Sequence, residues 1–111
     1  MLASKAVITC SDSGGALDAF ARALQINPDY IEVRNNAAIL LAQSGLLPEA
    51  QYQLEEVLRR DPNSAIAHNN LGEVLAAQGM VTDAVAHFEA AVKADPGFKA
   101  ARENVKRWKG E

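Results

Sequence analysis

IEVRNNAAILLAQSGLLPEAQYQLEEVLRRDPNS, residues 31–64, and AIAHNNLGEVLAAQGMVTDAVAHFEAAVKADPGF, residues 65–98, are one block of 34 residues written twice. Laid over each other without a gap they agree at nine positions: Asn35/Asn69, Asn36/Asn70, Leu41/Leu75, Ala42/Ala76, Gly45/Gly79, Ala50/Ala84, Glu55/Glu89, Asp61/Asp95 and Pro62/Pro96. A fixed period of this size marks stacked units. Each block reads as a helix, a turn at glycine, a second helix and Asp-Pro. Such a hairpin cannot bury both of its apolar faces alone, so it requires neighbours.

Within the first block, Val33, Ala37, Leu40 and Leu41 fall at helical spacing and predict a helix from about Tyr30 to Ser44. Gly45 ends it, because glycine accepts the left-handed backbone that closes helices. Pro48 stands just inside the partner helix, where its missing amide costs little, and Ala50, Leu54, Val57 and Leu58 form the second apolar stripe. The second block repeats the plan with Ala67, Leu71, Val74 and Leu75, then Gly79, then Ala84, Phe88, Ala91 and Val92. Ala50 and Ala84 mark the expected close approach of two backbones, where a larger residue would cost about 1–3 kcal/mol.

Small, large and proline residues at these offsets in a 34-residue frame resemble the tetratricopeptide repeat. The match runs through Asn70-Leu71-Gly72, Gly79, Ala84, Phe88, Ala91 and Asp95-Pro96, and through Asn36-Ala37-Ala38, Gly45, Ala50, Leu54, Val57 and Asp61-Pro62. Two positions depart from the family pattern. The aromatic usual near the start of the first helix is Arg34 or His68, and the contact glycine is Ala38 in the first block. The resemblance implies an all-α solenoid of antiparallel helix pairs, a single domain with two and a half to three repeats and a capping helix. Residues 1–30 are expected to form a partial first repeat, 31–64 and 65–98 the next two, and 99–111 the cap.

In the first of these segments, residues 16–24 carry small and aromatic residues at the offsets of Ala84, Phe88, Ala91 and Val92. Asn27-Pro28 stands where Asp-Pro stands later, so this is read as the second helix of an earlier repeat, capped by Asp12 or Ser13. Its leading helix would have to come from Leu2 to Cys10. After Pro96 the pattern restarts as one helix. Lys99, Arg102, Lys106 and Lys109 line one of its faces, and Lys106 and Lys109 replace the residues that would pack on a following helix, as a wetted cap requires. Ala3, Ala6, Val7 and Ile8 show no such conversion. Either the chain is cut from a longer array, or its N-terminal face pairs with another copy as a homodimer.

The 111-residue chain is 49% hydrophobic, and its formal charge of −3 argues against a nucleic-acid binder, which needs a basic face to displace counterions from phosphate. One cysteine, Cys10, excludes an intrachain disulfide, and Cys10, His68 and His87 are unsuitably spaced for zinc. No stretch reads as a membrane span, and the first ten residues are too weakly apolar for a secretory signal. Val7-Ile8-Thr9-Cys10 is a vestigial lipoprotein pattern; the expected location is cytoplasmic.

No nucleophile and base at triad spacing, no phosphate loop and no metal-ligand spacing is present, so neither catalysis nor a cofactor is expected. His68 and His87 are read as packing residues, Glu55, Glu56 and Glu89 as solvated faces, and Gly14-Gly15 as a turn. The constellation that points to function is an asparagine column. Asn36, Asn70 and Asn104 recur at the repeat period, with Asn35 and Asn69 adjoining them. Asparagine carries both donor and acceptor, and so suits the amides of an extended peptide. Within the family the column is similar to the asparagine ladder in the repeat superhelix of O-GlcNAc transferase. Two readings stay open: ligand binding, and support of the fold.

On the same concave side stand Glu32, Ile39, Ala42 and Gln43, then Ile66, Glu73, Ala76 and Ala77, with Glu103 and Arg107 extending the wall. The candidate peptide-binding set is Asn35, Asn36, Ile39, Gln43, Ile66, Asn69, Asn70, Glu73 and Asn104, for a segment partly apolar and not strongly acidic. The basic clamp with which family members hold acidic chaperone tails is replaced by Ile66 and Asn70, or Ala100 and Asn104, so the resemblance does not extend to that ligand. The expected function is a protein- or peptide-binding module, with self-association through the N-terminal face as the alternative.

Overall fold

The computed structural model describes residues 31–110 together with Ala19, Arg22 and Ala23, which are helical. The expected leading helix, the packing of Phe20 and the N-terminal pairing face lie outside these residues. Five helices follow in order: α1 (Ile31–Gln43), α2 (Leu47–Arg60), α3 (Ala65–Ala77), α4 (Val81–Ala94) and α5 (Lys99–Lys109). α1 packs on α2 and α3 on α4; α2 then lies against α3, α4 against α5, and α1 touches α3. This is an all-α solenoid of helix pairs, with no strand among the described residues.

The two hairpin turns are copies of one another. Gly45 and Gly79 have φ of 82° and 85°, a region in which a side chain would be strained. Around each, two amides reach back to carbonyls the helix leaves open: Leu46 N to Leu41 O at 2.8 Å and Gly45 N to Ala42 O at 3.0 Å, then Met80 N to Leu75 O at 2.9 Å and Gly79 N to Ala76 O at 3.0 Å. These are the paired closing bonds of a Schellman ending. Pro48 occupies the first turn of α2, where an amide would find no partner inside the helix.

Between the pairs, Asp61 and Asp95 end their helices with backbone bonds to Val57 and Ala91. Ser64 caps α3, its hydroxyl accepting from Ala67 N at 3.1 Å. At the equivalent place before α5 stands Phe98, which cannot cap. There the turn is held by Asp95 Oδ1, which accepts from Gly97 N at 3.2 Å.

The core runs through both pairs: Ala38, Ala50, Leu54 and Val57 in the first, Ala67, Leu71, Val74, Leu75, Ala84 and Phe88 in the second. Ala50 and Ala84 are fully enclosed, as the close approach of two helices demands. The stripe on α1 differs from the one read in the sequence. Arg34, Ala37 and Ala38 are its buried residues, while Val33, Leu40 and Leu41 are only half covered.

Glu56 is also not a solvated residue. It is 6% exposed, and its carboxylate is bridged by Arg60 at 2.8 Å and Arg59 at 3.0 Å. The hydrogen bond from Arg60 holds its carboxyl below the usual range, against the opposing pull of burial, and the charges of Arg59, Arg60 and Arg34 act in the same direction as the bond. Glu89 is exposed but receives Lys109 Nζ at 2.6 Å, a surface tie between α4 and α5.

Candidate functional site

The first helices of successive units, α1, α3 and α5, carry the residues expected on the concave wall. Between α1 and α3 lies a hollow of about 220 Å³ whose sides are Ile39, Ala42 and Gln43 on α1 and Asn70, Glu73 and Val74 on α3. Ala38, Leu47, Leu54 and Ala77 complete it. Between α3 and α5 lies a second, of about 250 Å³, sided by Glu73, Ala76 and Ala77 on α3 and by Asn104, Arg107 and Trp108 on α5. The six side residues of the first hollow map onto those of the second by the 34-residue period: Ile39 onto Glu73, Ala42 onto Ala76, Gln43 onto Ala77, Asn70 onto Asn104, Glu73 onto Arg107 and Val74 onto Trp108. The groove is therefore one hollow repeated, with its chemistry changed at each copy.

Of the residues expected to bind, Ile39, Gln43, Asn70 and Glu73 meet in the first hollow, and Glu73 with Asn104 in the second. Asn36 and Ile66 are exposed and line neither. The asparagine column is not a row of equivalent free amides. Asn104 and Asn69 are 6% and 4% exposed, and Asn104 Nδ2 donates to Asn69 Oδ1 at 2.9 Å and to Glu73 Oε2 at 3.3 Å. These two asparagines fasten α5 to α3. A buried amide must find such partners, because leaving it unpaired costs about 1–3 kcal/mol. One unit earlier the same acceptor, Asn35 Oδ1, is enclosed and has no partner among the described residues. Asn70 is half buried at the side of the first hollow, and its amide makes no side-chain bond among the described residues.

Away from the groove, the repeat position that lacks the family's usual aromatic carries a polar tie in both units. Arg34 Nη1 donates to Gln53 Oε1 at 2.8 Å, and His68 Nδ1 lies 3.0 Å from His87 Nδ1. Gln53 and His87 are 34 residues apart, as are Arg34 and His68, so a polar bond crosses each hairpin at the same register. The histidine rings stack at a centroid distance of 5.3 Å. His68 Nε2 is 2.9 Å from Pro62 O. A carbonyl only accepts, so that nitrogen carries the proton; His68 Nδ1 is then the acceptor and His87 Nδ1 the donor. Burial lowers the pKa of His87, the neighbouring His68 adds to this, and Asp83 and Glu55 oppose it.

Among the described residues, no group of three or more His, Cys, Asp or Glu is placed to hold a metal ion, and no helix is long and apolar enough to cross a membrane. What the groove offers is apolar surface edged by the unbonded side-chain amide of Asn70, by Glu73, which accepts from Asn104, and by Arg107. Ala38, Leu47, Leu54, Val74 and Trp108 were not among the residues expected to line the groove. Carrying Val74 forward by 34 positions would have found Trp108.

No curated protein sequence matches the chain. Among solved structures it is similar to a mutant O-GlcNAc transferase of Thermobaculum terrenum, at 28% identity over 88% of this chain and 19% of that one, with a TM-score of 0.82. It is similar to YrrB, described as a TPR protein with an unusual peptide-binding site, at 27% identity over 90% of this chain and 52% of that one, with a TM-score of 0.81. The TPR domain of Sgt2 from Aspergillus fumigatus shares the fold, at 21% identity over 96% of this chain and 72% of that one, with a TM-score of 0.84. The chain thus spans about a fifth of the transferase and about half of YrrB. The tetratricopeptide repeat model matches residues 35–97, more than half the chain and centred on the two hairpins whose glycine turns coincide, and the chain belongs to the tetratricopeptide repeat family.

Proposed function

We propose that this chain is a non-catalytic interaction module that takes an extended segment of a partner protein along the groove formed by α1, α3 and α5. The observation that carries the reading is the first hollow. It places the apolar surface of Ile39, Ala42, Leu54 and Val74 beside the uncommitted amide of Asn70 and the carboxylate of Glu73. Such a mixture suits a peptide, whose side chain seeks an apolar recess while its backbone seeks a donor and an acceptor. YrrB, with its own peptide-binding site, is related at a level that lends this reading support.

The test is capture of a partner segment by the chain and by two variants. Replacing Asn36 and Asn70 together by alanine, or Ala77 by phenylalanine, should abolish capture with thermal unfolding and oligomeric state unchanged. Asn36 and Ala77 are exposed and Asn70 is half buried, so the fold does not depend on them. Capture retained by both variants would sink the proposal.

A further inference from the structure

We propose that the α4–α5 end of the stack is a docking seat for an acidic amphipathic helix of a partner protein, held by Arg102 and Lys106 in the place that α2 and α4 take earlier in the stack. The seat is a second site, independent of the groove.

Between α4 and α5 lies a hollow of about 240 Å³, sided by Glu89 and Val92 on α4 and by Arg102, Val105 and Lys106 on α5. None of these residues lines either hollow of the groove. Moved back by one period they become Glu55, Leu58, His68, Leu71 and Gly72. That earlier set is where α4 sits. His68 Nδ1 meets His87 Nδ1 at 3.0 Å, a methyl group on Gly72 would strike the Phe88 ring, and the charge of Glu55 acts on His87. One period further back, Arg34 donates to Gln53 of α2 at 2.8 Å, and Ala38 shares the core with Leu54. The hollow is therefore the third copy of a seat whose first two copies each hold a helix.

The seated helices keep one pattern: Ala50, Gln53, Leu54 and Val57 on α2, then Ala84, His87, Phe88 and Ala91 on α4. All are buried except Gln53 and His87, which are half buried. The third copy changes the two middle demands. Arg102 stands where Arg34 stands, so it requires an acceptor at the place of Gln53. Lys106 stands where Ala38 and Gly72 stand, so a bulky side chain no longer fits opposite, and a short carboxylate does. The complementary helix reads Ala-x-x-Glu-Asp-x-x-Val.

Charge points to the same occupant. Glu89, the one carboxylate among the lining residues, is taken by Lys109 Nζ at 2.6 Å. Arg102 and Lys106 are exposed and have no side-chain partner among the described residues. A second copy seated through its own α5 would set these cations against themselves. Val92 and Val105, both half buried, add an apolar floor, which an amphipathic helix covers and a phosphate backbone does not.

The experiment titrates the whole chain into labelled short peptides, cross-linked on their outer face to hold them helical, and reads anisotropy. The Ala-x-x-Glu-Asp-x-x-Val helix should bind, and more weakly as salt rises. Arg102→Glu with Lys106→Glu should weaken it about tenfold, two attractions having become two repulsions. Both residues are exposed, so the fold is kept. A peptide with Lys-Lys in place of Glu-Asp should bind the double variant and not the native chain, and Ala77→Phe in the groove should change nothing. Equal binding by a scrambled peptide, by polyglutamate or by a single-stranded oligonucleotide would make the face a general polyanion surface and overturn the proposal. So would no binding by any peptide, binding indifferent to the charge reversal, or a dimer of the native chain that the double variant abolishes.

Discussion

Gly72 and Phe88 interlock across the α3–α4 hairpin. A methyl group added to Gly72 would lie 2.5 Å from Phe88 Cε1 and 2.6 Å from Cδ1, inside the contact distance of two carbons, and the ring is wholly buried. One unit earlier the same register holds Ala38 and Leu54. The larger partner faces the smaller one in each case, and the exchange conserves the volume that two helices must share.

This relationship predicts a change of sign. In the native background Gly72→Ala should destabilise by up to about 2 kcal/mol, since overpacking at about 1–3 kcal/mol is set against a gain of about 1 kcal/mol from replacing a helical glycine. In a Phe88→Leu background, which recreates the first hairpin's pairing, the same substitution should be neutral or stabilising. Urea unfolding of the four proteins checks it, and additivity would contradict it.

Acidification should weaken the chain in two stages. His87 has its pKa lowered, so between its folded value and the ordinary 6.5 the unfolded chain binds more protons, and stability falls as pH drops through that interval. Glu56, lowered below the ordinary carboxyl range by Arg60, gives a second loss with the same sign at more acid pH. His87→Gln, which copies the first hairpin's Gln53, should flatten the first stage and leave the second. Thermal melting across pH is the measurement.

Ser64 supplies the one side-chain cap seen among α2 to α5. Ser64→Ala should cost about 1 kcal/mol, because Ala67 N loses its acceptor at the start of α3, whereas Ser64→Asp should keep most of the stability. Denaturant midpoints of the two variants separate capping from any effect of side-chain size.

Much of this molecule can be read from its period. Gly45 and Gly79, Ala50 and Ala84, and the Leu54 and Phe88 stripes all declare themselves, because each answers a local demand that recurs every 34 residues. What escapes such reading depends on contacts between units or between unlike side chains. Asn104 looks like a third copy of Asn70, yet it lies in the α3–α5 contact and is consumed by Asn69. Glu56 looks like its exposed neighbour Glu55, but the guanidinium groups of Arg59 and Arg60 cover it. Arg34–Gln53 and His68–His87 are legible only as pairs, since nothing in arginine and histidine taken singly suggests a shared position.

The most direct test of the account is to follow the backbone and side-chain amides of an isotope-labelled chain by NMR while a binding segment is titrated in. Shifts concentrated at Ile39, Gln43, Asn70, Glu73 and Ala77, with the Asn70 side-chain amide among the most affected, are the predicted result. Shifts confined to the outer faces of α2 and α4, with the Asn70 amide unmoved, would contradict it.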